Sequence, residues 1–143
     1  MSLASTVEVL RSMPLFQRLD ERRLRVIAMT GEVLDVRRGE RLWNKGDEGD
    51  AAYIVLSGEA DVLLPAADGD VSLACLGAGE IVGEMAVLTG NPRSTAIAAR
   101  SDLSVLRLEG ATVMALLREF PELAIELIRV LARRLEATNA QAR

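Results

Sequence analysis

The sequence has no histidine among its 143 residues. Imidazole is a common zinc ligand and the usual base beside a serine or cysteine nucleophile. Its absence excludes histidine-rich zinc sites, cupin-type metal centres, and Ser-His or Cys-His pairs. An enzyme that uses only carboxylates would need two acids directed into one site, and the sequence pattern offers no such pair. We therefore predict no catalytic residues, no metal ion and no cofactor.

Cysteine and basic charge are also scarce. Cys75 is the only cysteine, which excludes an internal disulfide framework, and the alternation of Val71–Leu76 predicts a small buried hydrophobe at this position. The chain carries 17 Lys and Arg residues against 21 Asp and Glu residues. Because a dedicated DNA- or RNA-binding protein needs a net basic face, direct nucleic-acid binding is not expected. A local basic pocket for one small anion is still allowed.

Long apolar runs are missing as well. No stretch reaches the roughly 18 residues that a membrane helix needs. Glu8 and Arg11 interrupt the N-terminal segment before a signal-peptide core can form. Half of the residues are apolar, and no repeat, low-complexity tract or linker divides the chain. We therefore expect one domain, 1–143, located in the cytoplasm and not bound to a membrane.

The apolar pattern changes its period along the chain. Residues 1–30 have helical spacing, and a second helix is expected between Asp20 as its N-cap and Gly31 as its stop. Residues 31–109 alternate as strands do, and the turn around Gly69 predicts a hairpin. Roughly seven or eight short strands with glycines at the corners predict a mainly β protein: an antiparallel jelly-roll barrel with N-terminal helices and a C-terminal capping helix.

Residues 110–143 return to helical spacing, and Pro121 suits the first position of a last helix that extends to about Asn139. This helix carries two apolar stripes, whereas a helix lying on one surface needs only one. The first stripe is Leu123, Leu127 and Leu131, and the second is Ile125, Ile128, Ala132 and Leu135. One stripe would pack on the barrel and the other would meet a partner chain. The alternative is a terminal helix that the N-terminal helices cover on both sides.

The segment Gly79–Ala96 contains, between two strands, a stretch that is too short for an ordinary helix, opened by a glycine and closed by Gly90-Asn91-Pro92. Residues 84–89 are predicted to form one or two helical turns. The free N–H groups at the start of this turn, around Met85 and Ala86, would form an anion site. Gly83 would allow a ligand to approach the backbone closely.

Polar side chains at both ends of this segment add to the predicted anion site. Arg93 and Ser94 directly follow a proline turn, so a guanidinium and a hydroxyl can converge on one anion. Glu84 would accept hydrogen bonds from sugar hydroxyls, and a phosphate beside a diol describes a nucleotide. The alternative is a surface turn in which Arg93 and Glu84 pair with each other in water. The chemistry of the residues alone leaves both possibilities open.

The segment resembles the phosphate-binding cassette of the cyclic nucleotide-binding domain family, which includes the catabolite activator protein, the regulatory subunits of protein kinase A and cyclic nucleotide-gated channels. The most specific part is Gly83-Glu84-Met85-Ala86 followed, after six residues, by Arg93-Ser94. Further positions match the family's glycine corners and core strand: Gly39–Trp43, Gly46-Asp47, Tyr53–Leu56, Gly58, Gly77 and Gly79. The resemblance covers essentially the whole chain.

The resemblance implies a role for each residue of the cassette, 83–96. Glu84 would bind the ribose 2′-hydroxyl and Arg93 the cyclic phosphate, assisted by Ser94 and the Ala86 N–H. The other cassette residues predicted to contact the ligand are Gly83, Met85 and Thr95.

The last helix also resembles a part of this family. Ala132-Arg133-Arg134-Leu135 is similar to the long helix that caps the purine and forms the dimer in bacterial transcriptional regulators. The resemblance implies that Arg134, Thr138 and Asn139 reach toward the base or toward Glu84. The alternative is that both arginines lie on a solvated face. The sequence ends at Arg143 without a helix-turn-helix, so we expect either a free-standing binding protein or the excised sensor domain of a larger transcriptional regulator.

The predicted function is a cyclic-nucleotide sensor without enzymatic activity. Its predicted partners are the nucleotide and a second copy of the chain, which would form a homodimer through the last helix. The similarity to bacterial activators favours cAMP, and cGMP is the alternative ligand. A second hypothesis is a dimerisation scaffold that binds no nucleotide. The two hypotheses differ in whether the cassette is intact, and here it matches the family's pattern throughout.

Overall fold

The computed structural model describes residues 2–141. The described residues do not include Met1 of the predicted range 1–30, nor Ala142 and Arg143 of the predicted range 110–143. The helices are α1 (Leu3–Ser12), α2 (Glu21–Thr30), α3 (Glu84–Thr89), α4 (Gly110–Glu119) and α5 (Pro121–Gln141), with a short 3-10 turn at Pro14–Phe16. The strands are β1 (Glu32–Val36), β2 (Arg41–Trp43), β3 (Ala51–Ser57), β4 (Ala60–Leu64), β5 (Val71–Leu76), β6 (Ile81–Val82), β7 (Ala96–Ala99) and β8 (Leu103–Glu109).

Helix α2 begins and ends where its sequence predicts. The side chain of Asp20 accepts a hydrogen bond from the N–H of Arg23 at 2.9 Å, which satisfies one of the unpaired donors of the first turn. Gly31 ends the helix, and its N–H donates to the carbonyl of Ile27. An added Cβ at Gly31 would lie 2.6 Å from the side chain of Leu106, so close packing against the barrel also requires glycine here.

The strands form two four-stranded antiparallel sheets, in the orders β1-β8-β3-β6 and β2-β7-β4-β5. The predicted fold class, an antiparallel jelly roll with flanking helices, is confirmed. The hairpin around Gly69 joins β4 to β5, and Gly69 has a φ of +110°. Strand β7 starts at Ala96, where it pairs with Leu63 of β4, whereas the backbone of Arg93 just before it bonds to Gly46 and Asp47.

Strand β3 separates two hydrophobic cores. Its side chains alternate, so that Ile54 packs with the N-terminal helices while Tyr53 and Val55 point into the barrel. The first core lies between α1, α2, α5 and the β3 sheet, and the second fills the barrel around Trp43. Ile54 and Val55 are both fully buried, which explains why β3 is apolar along nearly its whole length.

The prediction that Cys75 is buried is wrong. Cys75 is exposed on β5, where its thiol donates to Oε2 of Glu59 at 3.1 Å. Strand β5 is at the edge of its sheet, and its pairing with β4 shifts register between Val62 and Leu63. The side chain that faces inward is therefore Leu76 and not its neighbour Cys75.

The two predicted stripes of α5 have different environments. Leu123 and Leu127 are each 5% exposed and pack in the first core, as predicted for one stripe. Ile125 and Ile128 of the second stripe are 49% and 64% exposed, so the hypothesis that the N-terminal helices cover both sides is wrong. Within residues 2–141, no helix combines the length and the apolar character that a membrane crossing requires.

Candidate functional site

The short helix α3 is inserted between β6 and β7, as predicted. Gly83 has a φ of +79°, a conformation that favours glycine, and it turns the chain from β6 into the helix. Gly90 ends the helix at a φ of +76°, and its N–H donates to the carbonyl of Ala86 at 2.9 Å. An added Cβ at Gly83 would lie 2.6 Å from Nη1 of Arg93. The turn therefore needs glycine both for its backbone angle and for the space above it.

Arg93 is a buried cation, with only 4% of its surface exposed. Its Nη1 donates to the carbonyl of Gly83 at 2.7 Å and its Nη2 to the carbonyl of Ala51 at 2.6 Å. Its guanidinium carbon lies 3.8 Å from the ring centroid of Trp43. Nε is buried without a hydrogen-bond partner, and no carboxylate of the described residues lies within 4.0 Å of the guanidinium. Burial lowers the pKa of Arg93, although nearby Tyr53 and acidic groups oppose the effect.

Glu84 is a buried anion at the start of α3, with 3% of its surface exposed. Its Oε1 accepts a hydrogen bond from Nη1 of Arg134 at 2.7 Å, and Nη2 of the same arginine donates to the carbonyl of Ile81 at 2.7 Å. Desolvation by burial raises the pKa of Glu84, and the charge of Arg134 opposes this rise. The pair connects α5 to the turn between β6 and α3.

A cavity of about 810 Å³ lies between the barrel, α3 and α5. One wall contains the predicted polar residues Glu84, Arg93 and Arg134. The other walls are mainly apolar and are formed by side chains of the barrel and of α5: Trp43, Val62, Leu76, Val82, Ile97, Ile128, Leu131 and Leu135. The site can therefore hold an organic anion that has one charged end and one apolar end.

The family of the chain follows from comparison with known proteins. A family model described as a cyclic nucleotide-binding domain matches residues 33–120, which is more than half of the 143 residues. The chain belongs to the cyclic nucleotide-binding domain family. The matched range includes every strand from β2 to β8, helix α3 and all of α4.

Several regulators contain a similar domain. A CRP-like cAMP-activated global transcriptional regulator of Mycobacterium tuberculosis is 26% identical over 133 residues, which cover 92% of this chain and 59% of the regulator. The crystal structure of the Thermus thermophilus catabolite activator protein has a TM-score of 0.81 at 32% identity, covering 90% of this chain and 61% of that chain. The regulatory domain of Toxoplasma gondii protein kinase A, co-crystallised with cAMP, has a TM-score of 0.71 at 26% identity, with 79% and 43% covered. The chain thus spans about three fifths of the regulator's length.

The cavity of this cyclic nucleotide-binding domain brings together nine of the residues that the sequence predicts for the site: Gly83, Glu84, Met85, Ala86, Arg93, Ser94, Thr95, Arg134 and Thr138. Asn139 is exposed and does not line the cavity. It lies one residue beyond Thr138, which turns it by roughly 100° around the helix. The hypothesis of a surface turn with an Arg93–Glu84 pair is wrong, because both side chains are buried and Glu84 pairs with Arg134.

The sequence analysis did not identify Trp43 or the apolar walls as parts of the site. Trp43 is the only tryptophan of the chain, and it lies at the end of β2, in the sheet that also contains β7. Its rarity, in a chain of which only 3% is aromatic, is a signal that could have marked it. The apolar walls carry no such signal, because core residues have the same composition.

Proposed function

We propose that the chain binds one cyclic nucleotide, cAMP, in the cavity between α3 and α5, and that it acts as a regulatory module and not as an enzyme. The observation that carries this proposal is Arg93, a buried cation with an unsatisfied Nε and no acidic partner in the described part of the chain. A buried charge is costly unless it is paired. An anionic ligand supplies the missing partner.

The cyclic phosphate binds at the Arg93 end of the cavity. The guanidinium of Arg93 donates to a phosphate oxygen through an N–H that neither carbonyl occupies, while the carbonyls that hold Nη1 and Nη2 keep the guanidinium in place. Ala86, on the first turn of α3, and Ser94 also line the cavity, and the Ala86 N–H and the Ser94 hydroxyl add donors for the phosphate. Charge-assisted bonds of this kind contribute about 1.5–3 kcal/mol each.

The ribose binds beside Glu84. The carboxylate of Glu84 accepts a hydrogen bond from the 2′-hydroxyl, and the charge of Arg134 favours the ionised form of this carboxylate against the effect of burial on its pKa. The purine lies against Val62, Leu76 and Ile97 of the barrel, with Leu131 and Leu135 of α5 above it. The names of the M. tuberculosis regulator and the T. gondii complex both contain cAMP, which supports cAMP over cGMP as the ligand.

Binding rather than hydrolysis is supported by the ionisable groups of the site. Among the described residues that line the cavity, these are Glu84, Arg93 and Arg134. Glu84 is the one carboxylate among them, and its Oε1 is paired with Arg134. A hydrolase that uses carboxylates needs a second group to activate water, so the cyclic phosphodiester remains intact.

A melting experiment tests this function. We expect saturating cAMP to raise the melting temperature, because a ligand at 100 times its Kd stabilises the folded state by about 2.7 kcal/mol. For a domain of this size the shift is roughly 5–15 °C. Linear 5′-AMP, which carries a more charged and differently placed phosphate, is the control and should shift it less. No shift with either cAMP or cGMP would contradict the proposal and favour the scaffold that binds no nucleotide.

Self-association through α5 is a second candidate function, as expected for part of a larger transcriptional regulator. It is favoured by Ile125, which is 49% exposed and does not line the cavity. Sedimentation velocity of the wild type and of Ile125→Asp tests it. A dimer that dissociates in the variant, with unchanged affinity for cAMP, is the expected result, and a monomeric wild type at high concentration contradicts it.

A further inference from the structure

Trp43 lies against the segment from Gly83 to Thr95 at three separate points. The face of its ring lies on the guanidinium of Arg93, at 3.8 Å from the centroid. Its indole N–H donates to the carbonyl of Thr95 at 3.0 Å. Its Cη2 lies 2.7 Å from the position that a Cβ on Gly83 would occupy. One side chain on β2 thus touches the beginning and the end of this segment.

The ring of Trp43 is itself held in place. It is 8% exposed, and the ring of Tyr53 packs against it with centroids 5.3 Å apart. The hydrogen bond to Thr95 fixes its rotation, because an indole has only one donor. Trp43 therefore offers Arg93 a flat ring whose orientation is set by its contacts with Tyr53 and Thr95.

The space beside Nε of Arg93 is also restricted. An added Cβ on Gly49 would lie 3.3 Å from Nε of Arg93 and 2.1 Å from Cβ of Ala86. Gly49 and Trp43 thus both limit the space around the guanidinium. Nε has no hydrogen-bond partner, while Nη1 and Nη2 each donate to a carbonyl.

An aromatic ring differs from a carboxylate as a partner for arginine. A carboxylate would neutralise the guanidinium and occupy its donors, so that it would compete with a phosphate. An aromatic face attracts the cation through its quadrupole and occupies no N–H donor. The ring of Trp43 therefore holds the guanidinium of Arg93 in position without neutralising its charge or occupying its Nε–H.

We propose that Trp43 is a positioning residue for nucleotide binding, which holds the guanidinium of Arg93 by stacking at the wall of the cavity where the phosphate binds. This inference rests on the proposed function, since it assumes that Arg93 binds the phosphate of the ligand. Trp43 acts through Arg93, and its aromatic face is the property that matters.

The test compares Trp43→Phe, which keeps an aromatic face, with Trp43→Leu, which keeps only apolar volume. Calorimetric titration with cAMP should show a loss of affinity of about threefold to thirtyfold for Trp43→Leu. For Trp43→Phe the loss should stay below about threefold. Val105→Ala, a fully buried position of the same core that does not line the cavity, controls for general destabilisation and should bind as the wild type does.

A second measurement follows Arg93 directly in the protein without nucleotide. The Nε–H resonance of Arg93, assigned by its disappearance in Arg93→Lys, should be displaced upfield by the ring of Trp43. The displacement should persist in Trp43→Phe and be lost in Trp43→Leu. A role in core stability alone would not produce this pattern.

The outcomes separate the two proposals. If the wild type binds neither cAMP nor cGMP, the proposed function fails, and the positioning role fails with it. If the wild type binds but Trp43→Leu binds equally well, only the positioning role is overturned. Equal losses for Trp43→Leu and Trp43→Phe, equal losses for Trp43→Leu and Val105→Ala, or an Arg93 resonance that does not respond to Trp43→Leu, overturn it as well.

Discussion

Arg134 of α5 lies 2.7 Å from Glu84 at the start of α3, although 50 residues separate the two in the sequence. The arginine also donates to the carbonyl of Ile81, so it holds both the carboxylate and the strand that precedes it. Since Glu84 is the group expected to bind the ribose, the position of α5 and the chemistry of the ribose site depend on each other. In the proposed function, a ligand that bonds to Glu84 would act on α5 through this ion pair.

The first prediction concerns the loss of this pair. Arg134→Gln leaves the Glu84 carboxylate buried without its cationic partner, and we expect the free energy of unfolding at pH 7 to fall by about 1–3 kcal/mol. The lower part of this range applies if water reaches the carboxylate, because the Arg134 side chain is 36% exposed. Urea denaturation measures the change. Arg133→Gln, at an exposed neighbouring position, should stay within about 0.5 kcal/mol of the wild type, and equal losses for both variants would show that the pair does not stabilise the fold.

The second prediction concerns pH. Burial raises the pKa of Glu84 above its ordinary value of 4.5. The folded protein therefore holds this proton more tightly than the unfolded chain, and the contribution of Glu84 to stability falls as the pH rises from 4.5 through the raised pKa. The ionised carboxylate is the form that accepts from the ribose and pairs with Arg134, so the affinity for cAMP should rise over the same window.

Titrations at several pH values test this prediction. Glu84→Gln should bind cAMP more weakly than the wild type at neutral pH, and its affinity should be flat through the window. A wild-type affinity that is also flat from pH 4.5 to neutral pH would show that Glu84 does not titrate in contact with the ligand.

The third prediction concerns the space behind Arg93. Gly49→Ala places a Cβ 2.1 Å from Cβ of Ala86, so α3 must move. We expect a loss of about 1–3 kcal/mol in the free energy of unfolding and weaker binding of cAMP. Gly77→Ala is the matched control, because a Cβ there meets no atom within 4 Å. Unfolding curves and titrations that do not distinguish the two variants would contradict the tight packing around Arg93.

The sequence predicted the local parts of the site well. The helix at 84–89, with glycines before and after it, follows from short-range rules for backbone angles and helix ends, and the structure has it at Glu84–Thr89. The prediction that Arg134 reaches toward Glu84 also agrees with the structure. That contact came from the resemblance to a family, since no local pattern links two residues so distant in the chain.

The parts that sequence analysis missed depend on register and on long-range packing. Cys75 is exposed because one register shift between β4 and β5 reverses which side chains face inward, and period-two alternation does not reveal such a shift. Trp43 meets Arg93 because β2 and β7 are neighbours in one sheet. Asn139 lies off the cavity because a single residue changes the face of a helix.

Calorimetric titration of cAMP into the wild type, Arg93→Ala and Arg133→Ala tests whether the Arg93 cavity binds a cyclic nucleotide. We expect one cAMP per chain for the wild type. For Arg93→Ala we expect a loss of about ten- to 150-fold in affinity, which corresponds to roughly 1.5–3 kcal/mol for a charge-assisted contact. For Arg133→Ala we expect little change. Equal losses for the two variants, or a wild type that releases no heat and shows no saturation with cAMP or cGMP, would contradict the claim that the Arg93 cavity binds a cyclic nucleotide.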